Sequence, residues 1–127
     1  MTRAKVPADR PWDPAGYSRA IRVGNVIEVS GTTAANSDGS VIAPGDMYGQ
    51  AKACLGIIVS SLESLGATPA DVVRTRVFLK EISTWRDAGR AHAEVFGDVQ
   101  PASTFVQVTG FLDPEFLLEV EATAIID

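Results

Sequence analysis

Apolar and polar residues alternate in two short runs near the N-terminus, Ala20-Ile21-Arg22-Val23 and Val26-Ile27-Glu28-Val29-Ser30, which flank Gly24-Asn25. Alternation with period two, broken by a two-residue turn that accepts positive φ, predicts a β-hairpin. From Asp46 the period lengthens. Ala51, Cys54, Leu55, Ile58, Leu62 and Leu65 recur at three- and four-residue steps, with Asp46 placed to cap the start and Gly66 to stop the end of a core-facing helix. Thr68-Pro69-Ala70-Asp71 reads as a short capped turn, and the β-branched run Val72 to Leu79 as a strand. Thr84 can cap a second helix over Trp85 to Phe96, closed by Gly97, and two strands follow at Thr104 to Thr109 and Phe116 to Ile126.

The predicted order is therefore ββαβαββ, an α+β domain spanning residues 16–127. Pro7, Pro11 and Pro14 make residues 1–15 an extended N-terminal arm, since each proline fixes φ and biases its predecessor away from helix. Two strand-helix-strand crossovers of one hand place both helices on one face of a single mixed sheet and leave the other face bare. Parity divides the third strand into Val73, Thr75, Val77 and Leu79 against Arg74, Arg76 and Phe78. In the last strand Leu118, Val120, Ala122 and Ala124 oppose Leu117, Glu119, Glu121 and Thr123. Arginines and acids suit water, but Phe78, Phe105 and Leu117 do not, so self-association through the bare face is expected. Polar groups trapped there would need partners or would line a pocket.

Composition narrows the function. At 127 residues one domain is the expectation, and a single cysteine with a single histidine excludes an internal disulfide and Cys/His zinc cages. The net charge of −5 arises wholly after residue 64, and Lys and Arg nowhere cluster as a phosphate-tracking surface requires, so nucleic acid is not an expected partner. The first 16 residues lack the apolar stretch of a signal peptide, and nothing approaches a membrane span, so a cytoplasmic protein is expected. No P-loop, Rossmann glycine pattern or Gly-x-Ser-x-Gly turn appears. Cys54 lies on the apolar stripe of the first helix and reads as inert core; His92, with Asp87 and Glu94 nearby, reads as solvated.

Gly16-Tyr17-Ser18-Arg19-Ala20, Val29-Ser30-Gly31, Asp71-Val72-Val73-Arg74-Thr75, Pro101-Ala102 and Leu118-Glu119-Val120-Glu121-Ala122 stand in the order and spacing of the Rid/YjgF proteins, the reactive intermediate deaminases. The chain resembles them over about residues 16 to 126. The resemblance implies a chorismate-mutase-like fold, a homotrimer built on the sheet faces and small-molecule clefts between subunits. It also implies hydrolysis of enamines and imines without metal or cofactor.

The deaminase motif reads Pro-Ala-Arg-Ser or Pro-Ala-Arg-Thr, its arginine gripping a substrate carboxylate through a planar, two-pronged pair. Here the segment is Pro101-Ala102-Ser103-Thr104, so Ser103 stands where the arginine is expected. Hydrogen bonds to charged groups contribute roughly 1.5 to 3 kcal/mol each, so losing both prongs predicts at least about a few hundredfold lower turnover of amino-acid-derived imines. By the same resemblance Glu119 positions the attacking water, or is a glutamate paired with Arg74 or Arg76. Tyr17 walls the pocket, or packs the arm on the body. Ser30 and Gly31 border the cleft, or merely end a strand. Trp85 stands at the cleft mouth of a neighbouring subunit, or anchors the second helix. Phe105 stands where the deaminases carry a small residue or cysteine, and it narrows the pocket or makes it more apolar. Together with Ser103, it points to a different ligand, while Thr104 keeps the motif's last position among the binding residues. Arg76 replaces the lost clamp from another strand, or forms an ion pair with Glu119 or Glu121. The functional classes left open are an imine or enamine hydrolase, a non-catalytic metabolite sensor or accessory, and a pathway-specific enamine-handling enzyme.

Overall fold

A computed structural model describes residues 2–127. The strands are β1 (Arg3–Pro7), β2 (Ser18–Val23), β3 (Val26–Thr32), β4 (Val72–Leu79), β5 (Ala102–Gln107) and β6 (Leu118–Ile125); the helices are α1 (Met47–Ser64) and α2 (Trp85–Phe96). They form one six-stranded sheet in the order β1-β2-β3-β6-β4-β5, antiparallel except for the β4–β5 pair. β6 inserts between β3 and β4, which run parallel to each other, so the chain's last strand closes the sheet's centre.

The hairpin turns at Gly24, whose φ of +61° suits glycine. α1 begins where Asp46 accepts a hydrogen bond from Gly49 N at 3.0 Å and ends before Gly66, at φ +87°. Its stripe of Ala51, Cys54, Leu55, Ile58, Leu62 and Leu65 is buried against the sheet together with Ile27, Val77, Leu79, Leu118 and Val120. The Cys54 thiol is wholly enclosed, and burial pushes its pKa up. Gln50, in the same helix, is fully buried as well. Its Nε2 donates to Glu115 O at 2.9 Å and its Oε1 accepts from Leu117 N at 2.9 Å, which fixes the loop entering β6.

Three details differ from the sequence reading. The N-terminal arm is extended, and residues Arg3–Pro7 within it add an edge strand to β2, held down by buried Ala8 and by Trp12 set edge-on to Phe116 at 6.1 Å. Val73 points outward because the β4–β6 register shifts between Val72 and Arg74, so Val72 takes the core position and Val73 is exposed. Thr84 makes no cap bond to α2; its Oγ1 donates to Glu81 O at 2.6 Å. β5 and β6 begin and end within about two residues of the expected bounds.

Candidate functional site

The predicted site residues fall into two groups. The first surrounds Glu119. Bulges in β2 and β3 meet beside it: pairing with β1 shifts between Val6 and Pro7, which leaves Arg19 unpaired in that ladder, and pairing of β3 with β6 shifts between Val29 and Thr32. The second shift loosens Ser30 and Gly31 from the ladder and brings the Gly31 backbone against the Glu119 side chain. A methyl group at Gly31 would overlap Glu119 Oε1, so the carboxylate holds its present position only above a glycine. The Ser30 hydroxyl donates to Ser18 O at 2.7 Å and ties the two bulged strands together.

Glu119 is half-buried, and its carboxylate has no hydrogen-bond partner among the described residues. Burial holds its pKa above the usual carboxylate range, the neighbouring Glu121 pushes the same way, and the Arg19 guanidinium opposes them. It opens on the bare face of the sheet into a cleft of about 410 Å³, walled by Phe78, Phe111 and Leu112 and carrying Glu121 at its edge. Leu112 is 74% exposed, a large apolar side chain left in water at the cleft rim.

Arg19 is the residue the sequence reading passed over. Only 7% exposed, it donates to Thr32 Oγ1 at 2.7 Å and to Gly31 O at 3.2 Å, and its guanidinium lies 5.8 Å from the Tyr17 ring centroid. Burial pulls its pKa below the ordinary arginine value, while Tyr17 works in the other direction. Tyr17 Oη and Arg19 Nε are both enclosed without a hydrogen-bond partner among the described residues. Tyr17 also lines a second cleft with Lys5, Pro7, Ala8 and Asp9, so it does pack beside the arm. A charged residue inside an otherwise alternating strand start was the available signal, and it pointed to surface on the usual statistics.

The second group belongs to edge strand β5. Ser103 is exposed and pairs with Thr75 across the parallel ladder; its Oγ lies 2.7 Å from Thr75 Oγ1, which lies 2.8 Å from His92 Nε2. Phe105 is on the same, helix-bearing side, its ring 5.6 Å from the imidazole, and the Phe96 ring lies 4.9 Å from it, tilted by 52°. His92 is therefore half-buried, not solvated, and desolvation lowers its pKa. Trp85 starts α2, 44% exposed and stacked on the Arg86 guanidinium at 4.9 Å.

Arg76 and Thr104 lie on the opposite, bare face. Arg76 pairs with Glu121 at 3.2 Å, and Thr104 accepts from Arg74 Nη2 at 2.7 Å. Within one chain Arg76 thus stands on the wrong side of the sheet to replace an arginine at Ser103.

The two groups do not meet in a single chain. Ser103 pairs with Thr75 and Glu119 with Phe78, with β4 between their strands and opposite faces presented. Two interstrand spacings and three residues along the strand separate them by roughly 14 Å. No three His, Cys, Asp or Glu side chains among the described residues are grouped to hold a metal ion. No helix is long and apolar enough to cross a membrane.

An α+β sheet with both helices on one face and a glutamate cleft on the other defines a chorismate-mutase-like architecture, and comparison with known proteins places it. The family model described as Endoribonuclease L-PSP matches residues 8–126. A solved structure from Mycobacterium tuberculosis, described as a member of the highly conserved YjgF/YER057c/UK114 family, superposes with a TM-score of 0.87 at 38% identity, covering 98% of this chain and 100% of that one. A RutC family protein of Pyrococcus abyssi is 36% identical over 92% of this chain and 90% of its own length. The 3-aminoacrylate deaminase RutC of Acinetobacter baylyi is 29% identical over 94% of each. The chain belongs to the Rid/YjgF family.

Proposed function

We propose that this chain works as a homotrimer in the cytoplasm, binding a small polar metabolite in clefts between subunits and hydrolysing a C=N or enamine compound there without a cofactor. The observation that carries the proposal is the division of the site: an unpaired, half-buried carboxylate on the bare face of one chain and an exposed Ser103 edge on the other face. A small ligand touches both only if β5 of a second copy lies against the Glu119 cleft. The exposed Leu112 at the cleft rim supports a covered surface at that place. The relative named as a 3-aminoacrylate deaminase supports enamine chemistry.

In this reading Glu119 takes a proton from water as the water oxygen bonds to the C=N carbon and the nitrogen gains one, giving a carbinolamine. Glu119 then returns its proton to that nitrogen and takes the hydroxyl proton as the C–N bond breaks, which releases ammonia and leaves C=O. A carboxylate with a raised pKa is the stronger base, which suits that role. Gly31 keeps the carboxylate in place, and Tyr17, Ser30 and Arg19 shape the wall behind it. Trp85, Ser103, Thr104 and Phe105 come from the neighbouring copy. Because β5 carries no guanidinium, imines of amino acids are poor substrates. A second reading, a metabolite sensor without turnover, is favoured by one fact: Arg76 pairs with Glu121 on the opposite face, so no guanidinium stands at Ser103 to hold a carboxylate for reaction.

Light scattering in dilute solution tests the assembly, with three copies expected and a lone subunit fatal to the proposal. A coupled assay with freshly generated 2-aminoacrylate tests the chemistry. Turnover by the wild-type chain is expected to be at least about a few hundredfold below that of an arginine-bearing relative, rising in Ser103→Arg. Wild-type rates equal to the relative's overturn the assignment of Ser103. Binding of 3-aminoacrylate in a thermal-shift screen, with no turnover of either compound, favours the sensor.

A further inference from the structure

The Ser103–Thr75–His92 chain has a property that packing does not require. Thr75 is fully buried between two hydrogen-bonding neighbours, with His92 Nε2 at 2.8 Å on one side and Ser103 Oγ at 2.7 Å on the other, while Ser103 itself faces solvent. A hydroxyl both donates and accepts, so a line of two hydroxyls ending on an imidazole can pass a proton along its length. Its outer end lies on the strand that also carries Thr104 and Phe105.

We propose that Ser103, Thr75 and His92 form a proton relay, and that the ligand group resting on Ser103 Oγ is a proton-accepting nitrogen, the imine or amine nitrogen of the substrate, in place of a carboxylate. The proposal rests on the hydrolase reading above. Protonated His92 gives its Nε2 proton to Thr75 Oγ1, the Thr75 hydrogen passes to Ser103 Oγ, and the Ser103 hydrogen passes to the substrate nitrogen. The imidazole regains its proton from solvent. Glu119 takes the proton of the attacking water, which gives the carbinolamine. A second proton reaches the nitrogen along the same line, the hydroxyl proton passes to solvent and the C–N bond breaks. With Glu119 returning its proton to solvent, the reaction balances as C=N plus water to C=O plus amine. Ser103 touches the substrate; Thr75 and His92 are positioning residues.

The surroundings leave His92 free to act. The groups against it are Thr75 of β4, Phe105 of β5 and Phe96 of α2, none of them charged. On α2, Asp87 faces Arg90 at 3.9 Å and Glu94 accepts from the Tyr48 hydroxyl at 2.6 Å, while Arg74 and Arg76 of β4 point to the other face, toward Thr104 and Glu121. Desolvation alone lowers the pKa of His92, which makes its protonated form a ready donor.

His92 is the chain's single histidine, so its ring ¹⁵N signals need no assignment. Two measurements on the intact protein test the relay. The first follows those signals against pH without ligand. Hydrogen bonds to a charged ring are about twice as strong as to a neutral one, so Thr75→Val should lower the His92 pKa by about half a unit, and Ser103→Ala by less in the same direction. The second is the pH profile of kcat/KM on 3-aminoacrylate. A bell is expected, its basic limb at the His92 pKa found by NMR, and Thr75→Val should erase that limb and lower the maximum by about a hundredfold. Turnover without that limb, or a limb that survives Thr75→Val, overturns the relay and leaves the hydrolase reading standing. If the wild-type chain turns over neither 3-aminoacrylate nor an imine without a carboxylate, the hydrolase reading fails and the relay, which delivers its proton to that substrate, fails with it. Ring signals unmoved in Thr75→Val overturn the relay on their own.

Discussion

The Glu119 cleft and the Ser103 edge are built on opposite principles. Around Glu119 the sheet is irregular: two bulges converge, a guanidinium is buried, and a carboxylate is left without a hydrogen bond. Around Ser103 the ladder is regular, and Ser103, Thr75 and His92 each have a polar neighbour within 2.8 Å. The irregular region holds groups in states that water would not choose, and such a region gains most from a ligand. The regular one presents a ready-made surface at a sheet edge, where another chain can approach without disturbing the core.

The largest effect should come from the irregular side. Glu119→Gln is expected to lower 3-aminoacrylate hydrolysis by about 10²–10⁴-fold while raising Tm at pH 7. The sign follows from its raised pKa: the folded state favours the protonated carboxyl, so wild-type stability is lost as pH rises through the folded pKa, and an uncharged amide escapes that loss. Thermal melts between pH 4 and 8 check it; a variant less stable than wild type at pH 7 would contradict the account. Next comes Gly31→Ala, whose methyl group pushes the flexible end of Glu119 aside; it is expected to lower 3-aminoacrylate hydrolysis by about 10–100-fold while stability in urea denaturation changes by no more than about 1 kcal/mol.

On the regular side the effects shrink. His92 is harder to protonate in the fold, so wild-type stability falls as pH drops below the ordinary histidine value. His92→Gln should flatten that decline in melts from pH 7.5 to 5, which an unshifted slope would refute. Ser103→Ala removes one hydrogen bond on an exposed strand and should cost about 0.5–1.5 kcal/mol. Arg76→Met is the smallest. Its pair with Glu121 is 45% exposed on the arginine side, and a change beyond about 1 kcal/mol in the isolated subunit would mean the ion pair is better shielded than it is in one chain.

Much of the regular framework was legible in the residues. The stripe from Ala51 to Leu65, Asp46 and Gly66 at its ends, and Gly24 in the hairpin carry their physical reasons locally. β1 was hidden because Pro7 and its neighbours signal an arm, and pairing with β2 is a long-range event. The bulges at Val73, Arg19 and Ser30-Gly31 were hidden because one extra residue in a strand alters no residue type, only the register. Glu119, Gly31 and Tyr17 were singled out by resemblance alone, and the burial of Arg19 depends on two bulges meeting. The contact of His92 with Thr75 likewise links positions 17 apart, which no periodicity reports.

Cys54 offers a practical consequence. As the sole thiol, sealed inside α1's buried face, it cannot meet an alkylating reagent until the layer between helix and sheet parts. The rate at which such a reagent reacts is therefore a clock for that opening, readable by mass spectrometry on a few micrograms of unlabelled protein. Its slowing when a metabolite is added would flag a ligand without any assay for turnover.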